Sequence, residues 1–152
     1  MDVAIRIIGD MAAQNHSTDA ISAPGSPGRK ISVLLIEDDP SVARSIARLL
    51  RSNGYEVVSA AARDEALQHV EVHGLRPDMI LTDFHLAAGI FGDEIVDEIA
   101  ARLRYQPPTI MLTSIPGLCV DRVKSSVDRI LAKPVDIHVL LGEIEDLLRN
   151  PA

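Results

Sequence analysis

Four largely apolar runs in this chain each end in residues able to do polar chemistry. Ile31-Ser32-Val33-Leu34-Leu35-Ile36 leads into Glu37-Asp38-Asp39, and Met79-Ile80-Leu81-Thr82 leads into Asp83. Thr109-Ile110-Met111-Leu112 leads into Thr113-Ser114, and Arg129-Ile130-Leu131-Ala132 into Lys133-Pro134. A short continuous apolar run reads as a strand buried on both faces of a parallel sheet. Such strands all end on one edge, along which open α/β sheets bind their ligands. Glu37, Asp38 and Asp83 are therefore expected to converge. Carboxylates brought within a few ångströms repel and raise one another's pKa. A hard divalent cation removes that conflict, and oxygen-only ligands with room for water suit Mg²⁺. A carboxylate can also attack phosphorus to form an aspartyl phosphate. Phosphoryl transfer requires positioning and neutralisation of the equatorial oxygens. Mg²⁺, the Lys133 ammonium and the Thr113 hydroxyl could hold one oxygen each. Singly, the acidic run is a solvated turn, Thr113 a strand-end residue and Lys133 a surface charge. Their joint occurrence at successive strand ends argues for a site.

The intervening segments supply the scaffold. Pro40 opens a helix with Val42, Ile46, Leu49 and Leu50 on one face and Arg44, Arg48 and Arg51 on the other. Asn53-Gly54 stops it. A strand over 55–59 and a helix near 63–73 follow, the latter with Ala66, Leu67 and Val70 facing inward. A third helix, near 92–105, carries Asp93, Glu94, Asp97 and Glu98 first and Arg102 and Arg104 last, which suits the helix dipole. A weaker helix is expected near 118–125. The last, 136–149, shows a full apolar stripe from Ile137 to Leu148, with Asp136 as its N-cap. Five strands alternating with five helices predict an α/β fold, a doubly wound five-stranded parallel sheet of order 2-1-3-4-5 with helices on both faces, flavodoxin-like.

Residues 1–29 differ from the rest. Val3, Ile7 and Met11 have helical spacing, while Ile5, Ile7 and Gly9 suit a short strand equally well. The stretch 17–28 is rich in Ser, Ala, Pro and Gly and reads as a linker. The expected division is a flexible N-terminal arm and linker over 1–29 and a folded domain over 30–150. The arm's first dozen residues could dock on a partner or on the domain.

Composition narrows the function. At 152 residues, 47% hydrophobic but only 3% aromatic, one domain with an aliphatic core is expected. A net charge of −7 argues against direct nucleic-acid binding. Cys119 is the sole cysteine, which rules out an intramolecular disulfide or a cysteine zinc cluster and fits a cytoplasmic location. No apolar run approaches the ~20 residues of a membrane span. With Asp2 and Arg6 near the start, no secretory signal is read. Membrane insertion is not expected.

The chain resembles the receiver domain of two-component response regulators over about 31–148. The resemblance rests on Val33-Leu34-Leu35-Ile36-Glu37-Asp38-Asp39-Pro40, Pro77-Asp78-Met79-Ile80-Leu81-Thr82-Asp83, Pro108-Thr109-Ile110-Met111-Leu112-Thr113-Ser114 and Lys133-Pro134. It implies that Asp83 accepts a phosphoryl group from a histidine kinase or histidine phosphotransfer protein. It makes Asp38 the direct Mg²⁺ ligand, with Glu37 acting mostly through water and the His85 carbonyl as backbone ligand. It makes Thr113 the switch hydroxyl and Lys133 the site lysine, turned towards Asp83 by a cis Lys133–Pro134 bond. Asp39 is left to cap the helix.

Several positions depart from the family pattern. Ala87 stands where proline is usual, the loop from Asp83 to Gly92 is one residue longer, and Ser114 replaces a frequent alanine. Ile130 occupies the position of the switch aromatic, and Val135 that of a frequent phenylalanine. A muted rearrangement is therefore expected at Ile130, with the signal passing through the loop after Asp83. The His85 ring is expected to screen the pocket mouth rather than join a transition-metal site, and Cys119 to be a partly buried apolar residue. Because the sequence given ends at Ala152, the expected output is protein contact with a downstream partner that the sequence does not identify. The expected role is a single-domain response regulator with self-catalysed phosphoryl transfer and hydrolysis only, not an enzyme acting on other substrates. A receiver-like binding module that is never phosphorylated and a Mg²⁺-dependent phosphohydrolase with Asp83 as nucleophile are the alternatives.

Overall fold

A computed structural model describes residues 6–8, 28–119, 121–123 and 126–150. The elements are β1 (Arg6–Ile8), β2 (Ser32–Ile36), α1 (Pro40–Ser52), β3 (Glu56–Ala60), α2 (Arg63–Glu71), β4 (Met79–Asp83), α3 (Gly92–Leu103), β5 (Thr109–Thr113), α4 (Pro116–Cys119), β6 (Arg129–Ala132) and α5 (Ile137–Arg149). All strands run parallel, in the order β1-β6-β5-β4-β2-β3. From β3 to β6 this is the expected 2-1-3-4-5 arrangement.

The sheet divides the core through the period-two alternation of its strands. In β2, Val33 and Leu35 face a cluster with Ile46 and Leu50 of α1 and Leu140, Ile144 and Leu147 of α5. Leu34 and Ile36 face the opposite cluster, with Leu67 and Val70 of α2 and Ile95 and Ile99 of α3. Each such buried aliphatic side chain contributes roughly 1.5–3 kcal/mol relative to exposure, which fixes the register of the strands and hence the positions of their ends. The caps agree with the sequence. Asp39 accepts from Ser41 N and Val42 N at the start of α1, and Asp136 from His138 N and Val139 N at the start of α5.

Two elements differ from expectation. Arg6–Ile8 forms a sixth strand, pairing with Arg129–Leu131 along the outer edge of β6. An edge strand offers unpaired backbone groups to any extended segment within reach, and the strand alternative for the arm is the one adopted. The rest of the arm, residues 1–5 and 9–27, lies outside the described residues, and with it the flexibility expected there. The helix expected near 118–125 is a four-residue turn instead, Pro116–Cys119. Pro116 favours the first helical position, and Gly117 follows at once with low helical propensity.

Candidate phosphoacceptor site

The site is assembled from strand ends. Leu34 pairs with Ile80 and Ile36 with Thr82, so Glu37 and Asp38 leave β2 next to Asp83 at the end of β4. Ligand oxygens of Glu37, Asp38 and Asp83 all lie within 4.8 Å of one another. These oxygens are close enough to share one divalent cation, directly or through its bound water. Among the described residues, this cluster contains no imidazole nitrogen, which leaves an all-oxygen donor set.

Lys133 enters from the end of β6. Its Nζ lies 2.8 Å from Glu37 Oε2 and 3.2 Å from Asp83 Oδ2. The Lys133–Pro134 peptide is cis, as the family resemblance implies. Glu37 is 2% exposed. Burial pushes its carboxyl above the ordinary range, with the Asp83 charge adding to the rise and Lys133 and the Asp39 amide opposing it. For Lys133, burial pulls the ammonium down, but the Glu37 hydrogen bond and the Asp83 and Glu37 charges outweigh it and the pKa is raised. Lys133 therefore stays cationic. Three carboxylates against one ammonium leave two negative charges in the pocket, a deficit that one divalent cation would balance. Asp39 turns away to its cap, and the Val42 and Ser41 amides hold its carboxyl below the usual range.

Thr113 ends β5, paired with Ala132 beside Lys133, whose amide donates to the Thr113 carbonyl at 2.8 Å. Its hydroxyl is buried and accepts from Ile115 N at 3.1 Å. Cys119 Sγ lies 3.2 Å from the same oxygen. This cysteine is fully buried, not partly as expected, and packs with Phe84, Met111, Val123, Val127 and Ile130. Ile130 is likewise fully buried, in a strand flanked on both sides by β5 and β1.

The loop after Asp83 wraps the pocket mouth. Phe84 N donates to Leu112 O, Gly92 N to Phe84 O, and His85 pairs as a bridge with Phe91. The exposed His85 ring meets Phe84 edge-on at 4.6 Å and lies tilted against Phe91 at 5.0 Å. The Arg122 guanidinium sits 3.5 Å over the Phe91 ring and reaches Glu94, tying this loop to the segment after α4. Ala88 and Gly89 both take positive φ at the loop's short 3-10 turn. Gly92 closes the loop where no side chain fits: a Cβ there would run into the Asp83 carbonyl oxygen and come within 2.6 Å of Thr82 Oγ1.

Sequence reasoning identified the charged residues but missed three contacts. A glycine opening a helix directly after the loop was the visible signal for Gly92. The Cys119–Thr113 and Arg122–Phe91 contacts left none, because each joins residues through the irregular path around α4. A groove of about 400 Å³ lined by Arg29, Tyr55, Glu145 and Arg149 lies beyond the amino ends of the strands, away from these residues.

The comparisons with known proteins agree with this geometry. Residues 33–145 match the model of the response regulator receiver domain. The chain is 32% identical over 124 residues to the sensory transduction protein RegX3 of Mycolicibacterium smegmatis, covering 80% of this chain and 52% of that protein. It is 34% identical over 126 residues to the transcriptional regulatory protein AfsQ1 of Streptomyces coelicolor, covering 78% and 52%. It thus spans about half the length of these curated relatives. Among solved structures, the receiver domain of the hybrid histidine kinase CckA superposes with a TM-score of 0.62 at 30% identity, over 77% of this chain and 98% of that one. The chemotaxis protein CheY4 of Vibrio cholerae superposes with a TM-score of 0.65 at 25% identity, over 78% and 98%. With its acidic trio and lysine on the shared strand edge, the chain belongs to the response regulator receiver-domain family.

Proposed function

We propose that residues 30–150 form a phosphoacceptor switch in which Asp83 takes a phosphoryl group from a phosphohistidine of a kinase or phosphotransfer protein. The observation that carries this reading is the position of Lys133, its Nζ shared between Glu37 and Asp83 at the open edge of the sheet. An Asp83 carboxylate oxygen, on a side chain 13% exposed, attacks phosphorus. The O–P bond forms as the P–N bond breaks, and the leaving imidazole retains its electron pair and takes up a proton. Lys133 neutralises one equatorial oxygen and the Thr113 hydroxyl donates to another. Asp38, Asp83 and the His85 carbonyl would hold Mg²⁺, with Glu37 acting through water. Bound Mg²⁺ would neutralise the remaining charge on the phosphoryl oxygens. Water later hydrolyses the acyl phosphate, so the chemistry is self-limited and no separate substrate is turned over.

The output is contact with a downstream protein rather than nucleic acid, consistent with the net charge of −7. Among the described residues, no helix is long and apolar enough to cross a membrane, and the proposed location is the cytoplasm. Residues 1–29 act as an arm whose strand Arg6–Ile8 lies along the outer edge of β6. Incubation with acetyl phosphate and Mg²⁺ followed by phosphate-affinity electrophoresis tests the reading, and a retarded band is expected. Mg²⁺ binding without phosphoryl uptake would instead mark an unphosphorylated binding module. Steady turnover of a small phosphate ester would mark a phosphohydrolase.

A further inference from the structure

The Thr113 hydroxyl has one proton to donate and two lone pairs. Ile115 N–H occupies one lone pair at 3.1 Å. Cys119 Sγ, at 3.2 Å, is the other neighbour, and it lies 3.5 Å from Ile115 O. A thiol is both a weak donor and a weak acceptor, with a single hydrogen. One arrangement satisfies every group: the Thr113 O–H donates to sulfur while the S–H donates to the Ile115 carbonyl. We infer that Cys119 is a positioning residue for the switch hydroxyl, holding Thr113 in reserve through a weak bond until a phosphoryl oxygen on Asp83 replaces sulfur as its acceptor. The inference rests on the phosphoacceptor reading given above.

Three features make sulfur suited to this part. Cys119 and Thr113 are 0% and 1% exposed, so water does not compete for the hydroxyl. Burial raises the thiol pKa, and the nearby Asp93 and Asp83 charges raise it further against the lowering by Thr113, so the group stays a thiol. When Thr113 leaves, the S–H keeps Ile115 O as acceptor, so the buried thiol is not orphaned. A phosphoryl oxygen is charged, and charge-assisted hydrogen bonds are roughly twice as strong as neutral ones. The exchange therefore runs towards the phosphoryl group without any change in covalent bonding. The same contact places the resting restraint at α4 rather than at position 130, where Ile130 is packed between β5 and β1.

Beryllofluoride, a phosphoryl mimic, bound to the full chain with Mg²⁺ tests this in a double-mutant cycle. Cys119→Ala removes the reserve partner and should tighten beryllofluoride binding about two- to fivefold, a weak hydrogen bond expressed through ~1.4 kcal/mol per decade. Cys119→Val, which leaves no cavity, should do the same and substitutes for the alanine variant if its cavity unfolds the protein. In a Thr113→Val background both replacements should leave the affinity unchanged. Three-bond couplings at the Thr113 methyl, read without any ligand, should report one χ1 rotamer in the wild type and averaging in Cys119→Ala. Equal effects in both backgrounds, or no tightening, would overturn the inference as a merely structural role. Unchanged couplings would overturn the resting contact itself. A wild type that binds no beryllofluoride would overturn the phosphoacceptor reading and the reserve role with it, while the couplings separately decide the contact.

Discussion

The two sides of the pocket are built on different principles. On the acid side, the ends of β2 and β4 bring Glu37, Asp38 and Asp83 together from two adjacent strands whose residues 33–36 and 79–81 are all fully buried. On the switch side, β5, the four-residue α4 and β6 carry Thr113, Cys119 and Ile130, joined by packing and one thiol contact. On the acid side Glu37, Asp38 and Asp83 match the receiver-family pattern, while the switch side keeps Thr113 but carries Ile130 where the family has an aromatic. Charge chemistry tolerates little displacement, since a carboxylate moved by an ångström no longer shares a cation with its neighbours. A relay made of packed side chains works with any set that has two arrangements. Departures from the family pattern therefore fall in the packed side chains around Ile130 and in the loop after Asp83, and spare the carboxylates themselves.

Substitutions on the acid side should have the largest effects. Asp83→Asn, nearly isosteric, should keep the melting temperature within a few degrees and lose all phosphoryl uptake, as read by phosphate-affinity electrophoresis. Gly92→Ala should cost at least about 1–3 kcal/mol in urea unfolding, because the added methyl meets the Asp83 backbone carbonyl first and the buried Thr82 side chain next. Mg²⁺ at about ten times its Kd should raise the melting temperature by roughly 4–6 °C, from ~1.4 kcal/mol of linkage. Asp38→Ala should abolish that gain, and a wild type indifferent to Mg²⁺ would break the acid-side account.

The switch side should respond less. Hydrogen exchange with and without beryllofluoride should show larger protection changes at 84–92 than at 113–131. That loop follows Asp83 directly and Gly92 lies close against the Asp83 carbonyl oxygen, whereas Ile130 is already packed. The reverse pattern would show that Ile130 serves the ordinary switch. The smallest effect is expected at Asp128, just before β6. Burial raises its carboxyl pKa, against the opposing Thr109 amide and Arg129 charge. A raised carboxyl contributes stability below its unfolded pKa and loses it as pH rises through the folded value. Asp128→Asn does not titrate and can still accept from Thr109 N. It should be more stable than wild type at neutral pH, with the gap closing on acidification, as urea midpoints across that range will show.

Legibility in the sequence follows the same division. Strand ends, the Asp39 and Asp136 caps and the convergence of Glu37, Asp38, Asp83 and Lys133 were readable because periodicity and strand order fix them. Lys133 was expected to turn towards Asp83 and hold a phosphoryl oxygen, and its 2.8 Å bond to Glu37 depends on side-chain reach that spacing does not encode. The truncated α4, the burial of Cys119 and the Arg122–Phe91 contact arise from an irregular segment with no period to read. The strand Arg6–Ile8 was one of two open readings, and the edge of β6 decided between them through tertiary pairing rather than local propensity.

The central claim is that Asp83 itself carries the phosphoryl group. Borohydride reduction converts an aspartyl phosphate to homoserine, and the product can be located by mass spectrometry of the peptide spanning residues 77–91. After incubation with acetyl phosphate and Mg²⁺, the account predicts homoserine at position 83 in the wild type and none there in Asp83→Asn. Homoserine at Asp38 or another carboxylate, or an unreduced Asp83 in protein that has taken up a phosphoryl group, would contradict it.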